Sequence, residues 1–190
     1  MKKSIRFLKK HSHVWGKSPI KLLKDYDYQK NLTEKLDSLR ACDLSRNSLY
    51  EIVLWKLNRF PSIPDAILDQ LKVLGDLKPK QHDHARPVLK ELLKCNGVAL
   101  PMASTILRFI NPSVFQIIDD RAYRVIFEGE AKYPTKPAKI TDKYVNTSIE
   151  IYFKYLDELH EICSAELPFE FSDRILYKLD ILLGKKIGDK

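Results

Sequence analysis

The sequence lacks any run of about 18 apolar residues, the length that a membrane-spanning helix requires. We therefore expect no membrane-spanning segment and no membrane partner. Basic residues follow Met1, as in a secretion signal, but no apolar stretch of about 7–15 residues comes after them. These absences predict a cytoplasmic location.

Cysteine is also scarce. Cys42, Cys95 and Cys163 lie far apart and are odd in number, which argues against a disulfide framework. Three cysteines also exclude a four-cysteine iron–sulfur or zinc site within one chain. His82 and His84 are spaced to touch a metal, but no third ligand is spaced near them. The sequence therefore predicts neither a metal nor another cofactor.

Only six glycines are present, and four of them stand where helices should end. The apolar residues between them recur with helical spacing, and Val114–Ile118 is the only β-like run, too isolated to make a sheet. The sequence therefore predicts an all-α fold. The four glycines are Gly75, Gly97, Gly129 and Gly184. The predicted apolar helix faces are Leu49/Ile52/Val53/Leu57, Ile67/Leu68/Leu71/Leu74, Ile149/Tyr152/Phe153/Leu156/Leu159/Ile162 and Ile175/Leu176/Leu179/Leu183.

Two helix starts carry capping signals. Ser62, with Asp65 three residues later, is typical of a capping box that begins the second of these helices. Ser172 or Asp173 is placed to cap the last one.

The net charge of +8 is concentrated at one end of the chain. Residues 1–30 form a basic arm with nine lysines and arginines and two aspartates. Such an arm attracts a polyanion, usually nucleic acid, although a solvated basic terminus has the same composition. The Lys/Pro-rich loop at residues 130–141 leaves a similar choice between a phosphate-contacting surface and a plain exposed insertion.

Residues 85–110 have the pattern of a helix–hairpin–helix. Helix 85–95 runs into a turn at Gly97, and a second helix begins at Pro101 and ends before Asn111. Glycine permits the positive φ of a tight turn, and proline suits a first helical turn. The free N–H groups there form an anion site, which contacts phosphates without reading bases. An ordinary helical corner shares this pattern. The predicted backbone-binding residues are Asn96, Gly97, Val98, Ala99, Pro101 and Met102.

An aspartate follows this pattern at a fixed distance. With Gly97–Ala103 aligned on G-V-G-x-x-T-A, the chain resembles the helix–hairpin–helix Gly/Pro–Asp superfamily of DNA glycosylases. An apolar connector and then Asp119 follow, 18 residues beyond Pro101, and Arg124 stands five residues after Asp119. The resemblance covers residues 85–128 and implies that Asp119 is the catalytic carboxylate. Asp120, one residue out of register, is the alternative.

The resemblance also implies a multi-helix, two-lobed glycosylase-like fold for residues 1–190 as a single unit, with double-stranded DNA as its partner. A carboxylate near the sugar stabilises the cationic transition state of base excision or activates water, once the base is flipped out. Asp119 is equally suited to capping a helix. Three positions depart from the family pattern. Pro101 replaces the lysine of lyase-active members, Ala99 replaces a glycine and Met102 replaces a threonine.

Five further residues are weaker candidates for the site. Trp55 could stack on a flipped base and Lys56 could serve as an amine or phosphate contact, with Arg59 just beyond them. A Trp at the core edge beside a surface Lys is the plainer interpretation. Arg121 and Arg124 either contact phosphate or pair with nearby acids.

Three functions follow from these patterns. The first is a monofunctional DNA glycosylase of base excision repair in which Asp119 is essential. The second is a non-enzymatic DNA-binding module that retains the hairpin and has lost catalysis. The third is a helical protein-interaction domain whose basic arm binds an acidic partner.

Overall fold

A computed structural model describes residues 8–10, 12–14, 16, 18–25, 28–58, 61–128 and 132–184. Within these ranges the fold is all-α, as predicted, and the only β pairing is an isolated bridge between Ser62 and Asn96. The chain divides into two compact units, residues 1–60 and 61–190. None of the helices in the described ranges combines the length and apolar character that crossing a membrane requires. The α-helices are α1 (Lys30–Asp37), α2 (Arg46–Lys56), α3 (Asp65–Val73), α4 (Arg86–Lys94), α5 (Leu100–Ile110), α6 (Asp120–Ile126), α7 (Asp142–Ile162) and α8 (Ser172–Leu182).

The first unit pairs α1 with α2 and also contains 3-10 turns at Pro19–Asp25 and Ala41–Asp43. Ser45 caps α2 through a reciprocal pair of hydrogen bonds with Ser48. The predicted apolar face of α2 is largely exposed, because Leu49, Val53 and Leu57 are each at least 50% accessible. The helix was therefore correctly predicted, but its apolar face does not form a core.

The second unit packs around α7. Tyr152, Tyr155 and Leu156 are fully buried there, against the helices that precede and follow. The predicted stripe of α7 is confirmed except at its end, where Ile162 is exposed. In α3, Leu68 is the one predicted face residue that is exposed.

Two predicted helix caps are wrong. Helix α3 has Pro64 at its N-cap and no side-chain cap. Ser62 lies two residues before that position, and its backbone N–H donates to the carbonyl of Asn96. Helix α8 has Phe171 at its N-cap. Ser172 lies inside that helix, and its hydroxyl donates to the Phe169 carbonyl at 2.9 Å.

The predicted apolar face of α8 is wrong in register. Leu176 is buried, but Ile175, Leu179 and Leu183 are exposed. The helix instead buries Asp180, four residues beyond Leu176 and on the same face. A buried carboxylate is invisible to a search for apolar periodicity, which is why the register was missed.

The helix-ending glycines behave in two ways. Gly97 has a φ of 78° and Gly184 a φ of 76°, the left-handed conformation expected at a helix end. Gly75 lies within a 3-10 turn, Leu74–Asp76, that continues α3. Gly129 lies outside the described residues.

Candidate functional site

The hairpin comprises residues 95–99, between α4 and α5. Its first helix ends at Lys94 and its second begins at Leu100, so both predicted boundaries are within about one residue of the structure. The left-handed Gly97 turns the chain, and Pro101 occupies the first turn of α5, where its missing N–H costs no helical hydrogen bond. Val98 is fully buried and anchors the hairpin to the core. The exposed predicted contacts are Asn96, Gly97 and Met102, and the half-buried ones are Ala99 and Pro101.

The carbonyl groups of this segment face the protein. The ammonium of Lys136 donates to the carbonyl oxygens of Leu93 at 2.8 Å, Cys95 at 2.6 Å and Val98 at 2.7 Å. The backbone N–H of Ser62 donates to the carbonyl of Asn96 at 3.1 Å. The start of the second unit, at Ser62, and the Lys/Pro-rich loop, at Lys136, thus both contact the hairpin.

The amide groups of the segment remain available. The backbone N–H groups of Gly97, Ala99 and Met102 donate to no other described residue. Ala99 is the N-cap of α5 and has no side-chain oxygen to accept from the first turn. An exposed helix start with unsatisfied donors attracts anions. This geometry suits a phosphate.

Asp119 is the N-cap of α6, as the sequence predicted. Its Oδ1 accepts hydrogen bonds from the backbone N–H of Arg121 at 3.0 Å and of Ala122 at 2.8 Å. The carboxylate is half-buried, and Oδ2 accepts no hydrogen bond from the residues that the structure describes. Burial raises the pKa of Asp119, outweighing the two backbone hydrogen bonds, which lower it. Oδ1 is thus fixed by two backbone hydrogen bonds, while Oδ2 has no hydrogen-bond partner among the described residues.

The connector before Asp119 is held at three consecutive residues. The hydroxyl of Tyr152 donates to the Gln116 carbonyl at 3.0 Å, and that of Tyr155 donates to the Ile117 carbonyl at 2.9 Å. The backbone N–H of Ile118 then donates to Oγ of Ser104, in α5, at 3.2 Å. These contacts place Asp119 relative to the hairpin's second helix.

Sequence reasoning missed this role of the two tyrosines and Ser104. Tyr152 belongs to the predicted apolar face of α7 and is buried there, and the spacing of Tyr152 and Tyr155 gives no sign that both hydroxyls reach one connector. A serine in an otherwise apolar helix is a weak signal of a polar contact within the core. That signal stands in the sequence at Ser104.

The alternative catalytic carboxylate, Asp120, already accepts hydrogen bonds from two neighbouring side chains. Its oxygens accept from the Lys132 ammonium at 2.6 Å and from the Tyr133 hydroxyl at 2.6 Å. Burial alone would raise the pKa of Asp120, but these hydrogen bonds outweigh it and hold the pKa below its usual value. Tyr133 has a strongly raised pKa, because it is buried and donates to this carboxylate. Asp120 therefore has the contacts of a structural ion pair.

Arg121 and Arg124 both pair with the fully buried Asp180 of α8. Each guanidinium has a nitrogen 2.7 Å from a carboxylate oxygen of Asp180. The hydrogen bond from Arg124 holds the pKa of Asp180 below its usual value, against the effect of burial. Of the two predicted roles for these arginines, the structure shows the pairing with an acid.

Three of the predicted site residues, Trp55, Lys56 and Arg59, belong to the first unit. Trp55 is half-buried, and its indole N–H donates to Oγ1 of Thr33 at 2.8 Å. Lys56, the last residue of α2, is exposed. Arg59 and parts of the basic arm lie outside the described residues. In the Lys/Pro-rich loop, residues 130 and 131 lie outside them as well, while Lys139 is exposed.

No group of three or more histidine, cysteine, aspartate or glutamate side chains able to hold a metal occurs within the described ranges. His82 is buried and its Nε2 lies 3.3 Å from Oδ1 of Asp157, whereas His84 is exposed. The two histidines therefore do not share a site.

No protein-family model, curated protein or solved structure matches the chain. The function is therefore argued from the residues and their contacts.

Proposed function

We propose that this chain is a cytoplasmic DNA glycosylase of base excision repair. In this proposal it grips duplex DNA through the hairpin and hydrolyses the N-glycosidic bond of a damaged or mispaired base. The observation that carries the proposal is the hydrogen bond from the Ile118 N–H to Ser104, which ties the residue before Asp119 to the hairpin's second helix. Because the hairpin amides and Asp119 are joined through this bond, the amides can bind a phosphate of the same nucleotide on which the carboxylate acts.

The state of Asp119 supports the chemistry. Breaking an N-glycosidic bond develops positive charge on the sugar, and a nearby carboxylate stabilises that charge or activates water. The two backbone hydrogen bonds to Oδ1 fix the carboxylate, while Oδ2 is left for a substrate or a water. Burial strengthens Asp119 as a base, because a raised pKa means that its carboxylate binds a proton more readily.

Pro101 supports a hydrolytic rather than a lyase mechanism. It stands at the position that a Schiff-base lysine occupies in lyase-active members of the superfamily that the sequence resembles. A proline has no side-chain amine and cannot form a Schiff base. We therefore propose that the enzyme releases the base and leaves the DNA backbone intact.

Asp119→Asn tests the proposed catalytic role. Asparagine caps a helix about as well as aspartate, so the free energy of unfolding should change by no more than about 0.5 kcal/mol. Base release is measured in single turnover on duplexes that each carry one deaminated, oxidised, alkylated or mispaired base. We expect the substitution to slow release by about a hundredfold or more.

Asp120→Asn is the matched control, since it changes the neighbouring carboxylate, which is already paired with Lys132. It should keep most of the base release. Full activity of Asp119→Asn would overturn the assignment, and equal losses in both variants would indicate a general electrostatic effect rather than a catalytic Asp119.

A non-enzymatic DNA-binding module is the second candidate, favoured by the hairpin amides, which are available whatever the role of Asp119. It predicts salt-dependent duplex binding without base release from any substrate. The wild-type chain in the same assay distinguishes the two functions.

A further inference from the structure

The ammonium of Lys136 is fully used by the protein. A lysine ammonium has three N–H donors and no acceptor. Three carbonyl oxygens, of Leu93, Cys95 and Val98, accept from it at 2.6–2.8 Å. No donor is left for a phosphate, although Lys136 lies in a loop whose composition suggests contact with DNA.

These three carbonyls belong to the parts of the hairpin that need a donor. Leu93 and Cys95 lie at the end of α4, where the last carbonyls of a helix have no intrahelical partner. A cation at this end also offsets the negative end of the helix dipole. Val98 lies beyond the left-handed Gly97, on the other side of the turn. Lys136 thus bridges both sides of the hairpin from one point.

The direction of each hairpin carbonyl also sets the direction of the backbone N–H group of the next residue. No peptide bond among the described residues is cis, and in a planar trans peptide the C=O of one residue points opposite to the N–H of the next. Since the carbonyls of Cys95 and Val98 converge on Lys136, the N–H groups of Asn96 and Ala99 point away from it. By the same geometry, the bond between Ser62 and the Asn96 carbonyl directs the N–H of Gly97 away from Ser62.

We propose that Lys136 is a positioning residue for the DNA-backbone grip: an internal cation that gathers the hairpin carbonyls and so aims the hairpin amides at a phosphate. The inference rests on the proposed function, because it assigns Lys136 a part in DNA binding without contact to DNA. It differs from the role expected of a basic loop, in which the lysine itself neutralises a phosphate.

The salt dependence of DNA binding separates the two roles. A lysine that neutralises a phosphate contributes to counterion release, so its removal lowers the slope of log affinity against log salt by about 0.9. A lysine that acts through neutral amides leaves the slope unchanged. We expect Lys136→Met to weaken binding of a short undamaged fluorescent duplex about tenfold at fixed salt, with the wild-type slope.

Lys139→Met is the matched control, since Lys139 is an exposed lysine in the same loop. Lys139→Met should bind the duplex with the wild-type affinity. If its affinity is lower, the slope of log affinity against log salt should be lower as well. A lowered slope in Lys136→Met, or unchanged affinity, would overturn the positioning role. Failure of the wild-type chain to bind the duplex would instead overturn the proposed function, so the two failures are distinguishable.

Chemical rescue provides a readout that a general loss of stability would not move. Lys136→Ala removes the ammonium and leaves three carbonyl oxygens around a vacant position. Ammonium chloride should restore much of the lost affinity when compared with tetramethylammonium chloride at equal ionic strength, because only the former donates hydrogen bonds. Equal affinity in the two salts would contradict the proposal.

Hydrogen exchange tests the geometry without DNA. The amides of Cys95 and Val98, which donate to the carbonyls of Leu92 and Cys95, should exchange faster in Lys136→Met than in the wild-type chain, while amides in the middle of α7 exchange at the wild-type rate. Unchanged exchange at the hairpin would overturn the claim that Lys136 holds it.

Discussion

Ser104 and Ile118 join two segments that are 14 residues apart in the chain. Oγ of Ser104 accepts the backbone N–H of Ile118 at 3.2 Å and donates its own proton to the Pro101 carbonyl at 2.9 Å. Both residues are fully buried. One hydroxyl therefore links the start of the hairpin's second helix to the residue that precedes Asp119.

Ser104→Ala should destabilise the second unit. The substitution leaves the buried N–H of Ile118 without its acceptor, which costs about 1–3 kcal/mol. Thr105→Ala is the matched control, because Oγ1 of Thr105 donates to the same Pro101 carbonyl but makes no bond to Ile118. Urea unfolding should give a smaller loss for Thr105→Ala. Equal losses would mean that the bond to Ile118 contributes little.

The same two variants, Ser104→Ala and Thr105→Ala, test the link to the proposed chemistry. Ser104 accepts directly from Ile118, the residue before Asp119, whereas it makes no hydrogen bond to the amides of Gly97, Ala99 or Met102. Ser104→Ala should therefore reduce the rate of base release more than it reduces duplex affinity. A loss of affinity without a loss of release rate would place the effect of Ser104 in the hairpin instead.

Asp180→Asn should cost stability without affecting DNA contacts. The carboxylate is fully buried between the guanidinium groups of Arg121 and Arg124, and breaking a buried ion pair costs about 3–5 kcal/mol. Because the folded pKa of Asp180 is depressed, this stabilisation is present above the unfolded pKa and is lost as pH falls through the folded value. Urea unfolding at neutral and acidic pH measures both effects.

Arg124→Gln is the companion variant, since it tests whether this arginine also contacts phosphate. It should lower the free energy of unfolding and leave the salt slope of DNA binding at the wild-type value. A slope lowered by about 0.9 would indicate that Arg124 neutralises a phosphate.

The local features of the site could be predicted from the sequence. Gly97 indicated a left-handed turn, Pro101 a first helical turn and Asp119 a helix cap, and the structure has all three. Each depends on the conformational preference of one residue, which acts within a few positions of the chain. Such preferences are readable without knowing what packs nearby.

The long-range contacts could not be predicted in this way. Lys136 meets the hairpin from 38 or more residues away, and Asp180 meets Arg124 from 56 residues away. A lysine in a Pro-rich loop has the same sequence signature whether it faces solvent or three carbonyls. The face of α8 that holds Leu176 also buries Asp180, which a search for apolar residues does not find. Partners of this kind follow from how the helices pack.

The second unit contains two neighbouring histidines, of which His82 is buried and His160 is half-buried. The ring of His160 stacks on Phe169, with centroids 4.1 Å apart, and its centroid lies 6.2 Å from that of His82. Nε2 of His160 and Nδ1 of His82 are buried without a hydrogen-bond partner among the described residues. Burial lowers the pKa of His160, as do His82 and Lys80, against the opposite effects of Asp157 and Glu161.

The free energy of unfolding should therefore fall in mild acid. Because the folded pKa of His160 lies below its ordinary value of 6.5, the unfolded chain binds the proton first, and stability declines as pH drops through 6.5 towards the folded value. His160→Phe keeps an aromatic ring against Phe169 but cannot be protonated, so its stability should change less between pH 7.5 and pH 5.5, about one unit either side of the ordinary histidine pKa. His84→Gln, at an exposed histidine, should follow the wild-type pH dependence. Thermal melts of the three proteins across this range measure the difference, and a His160→Phe profile parallel to the wild type would assign the acid sensitivity to other groups.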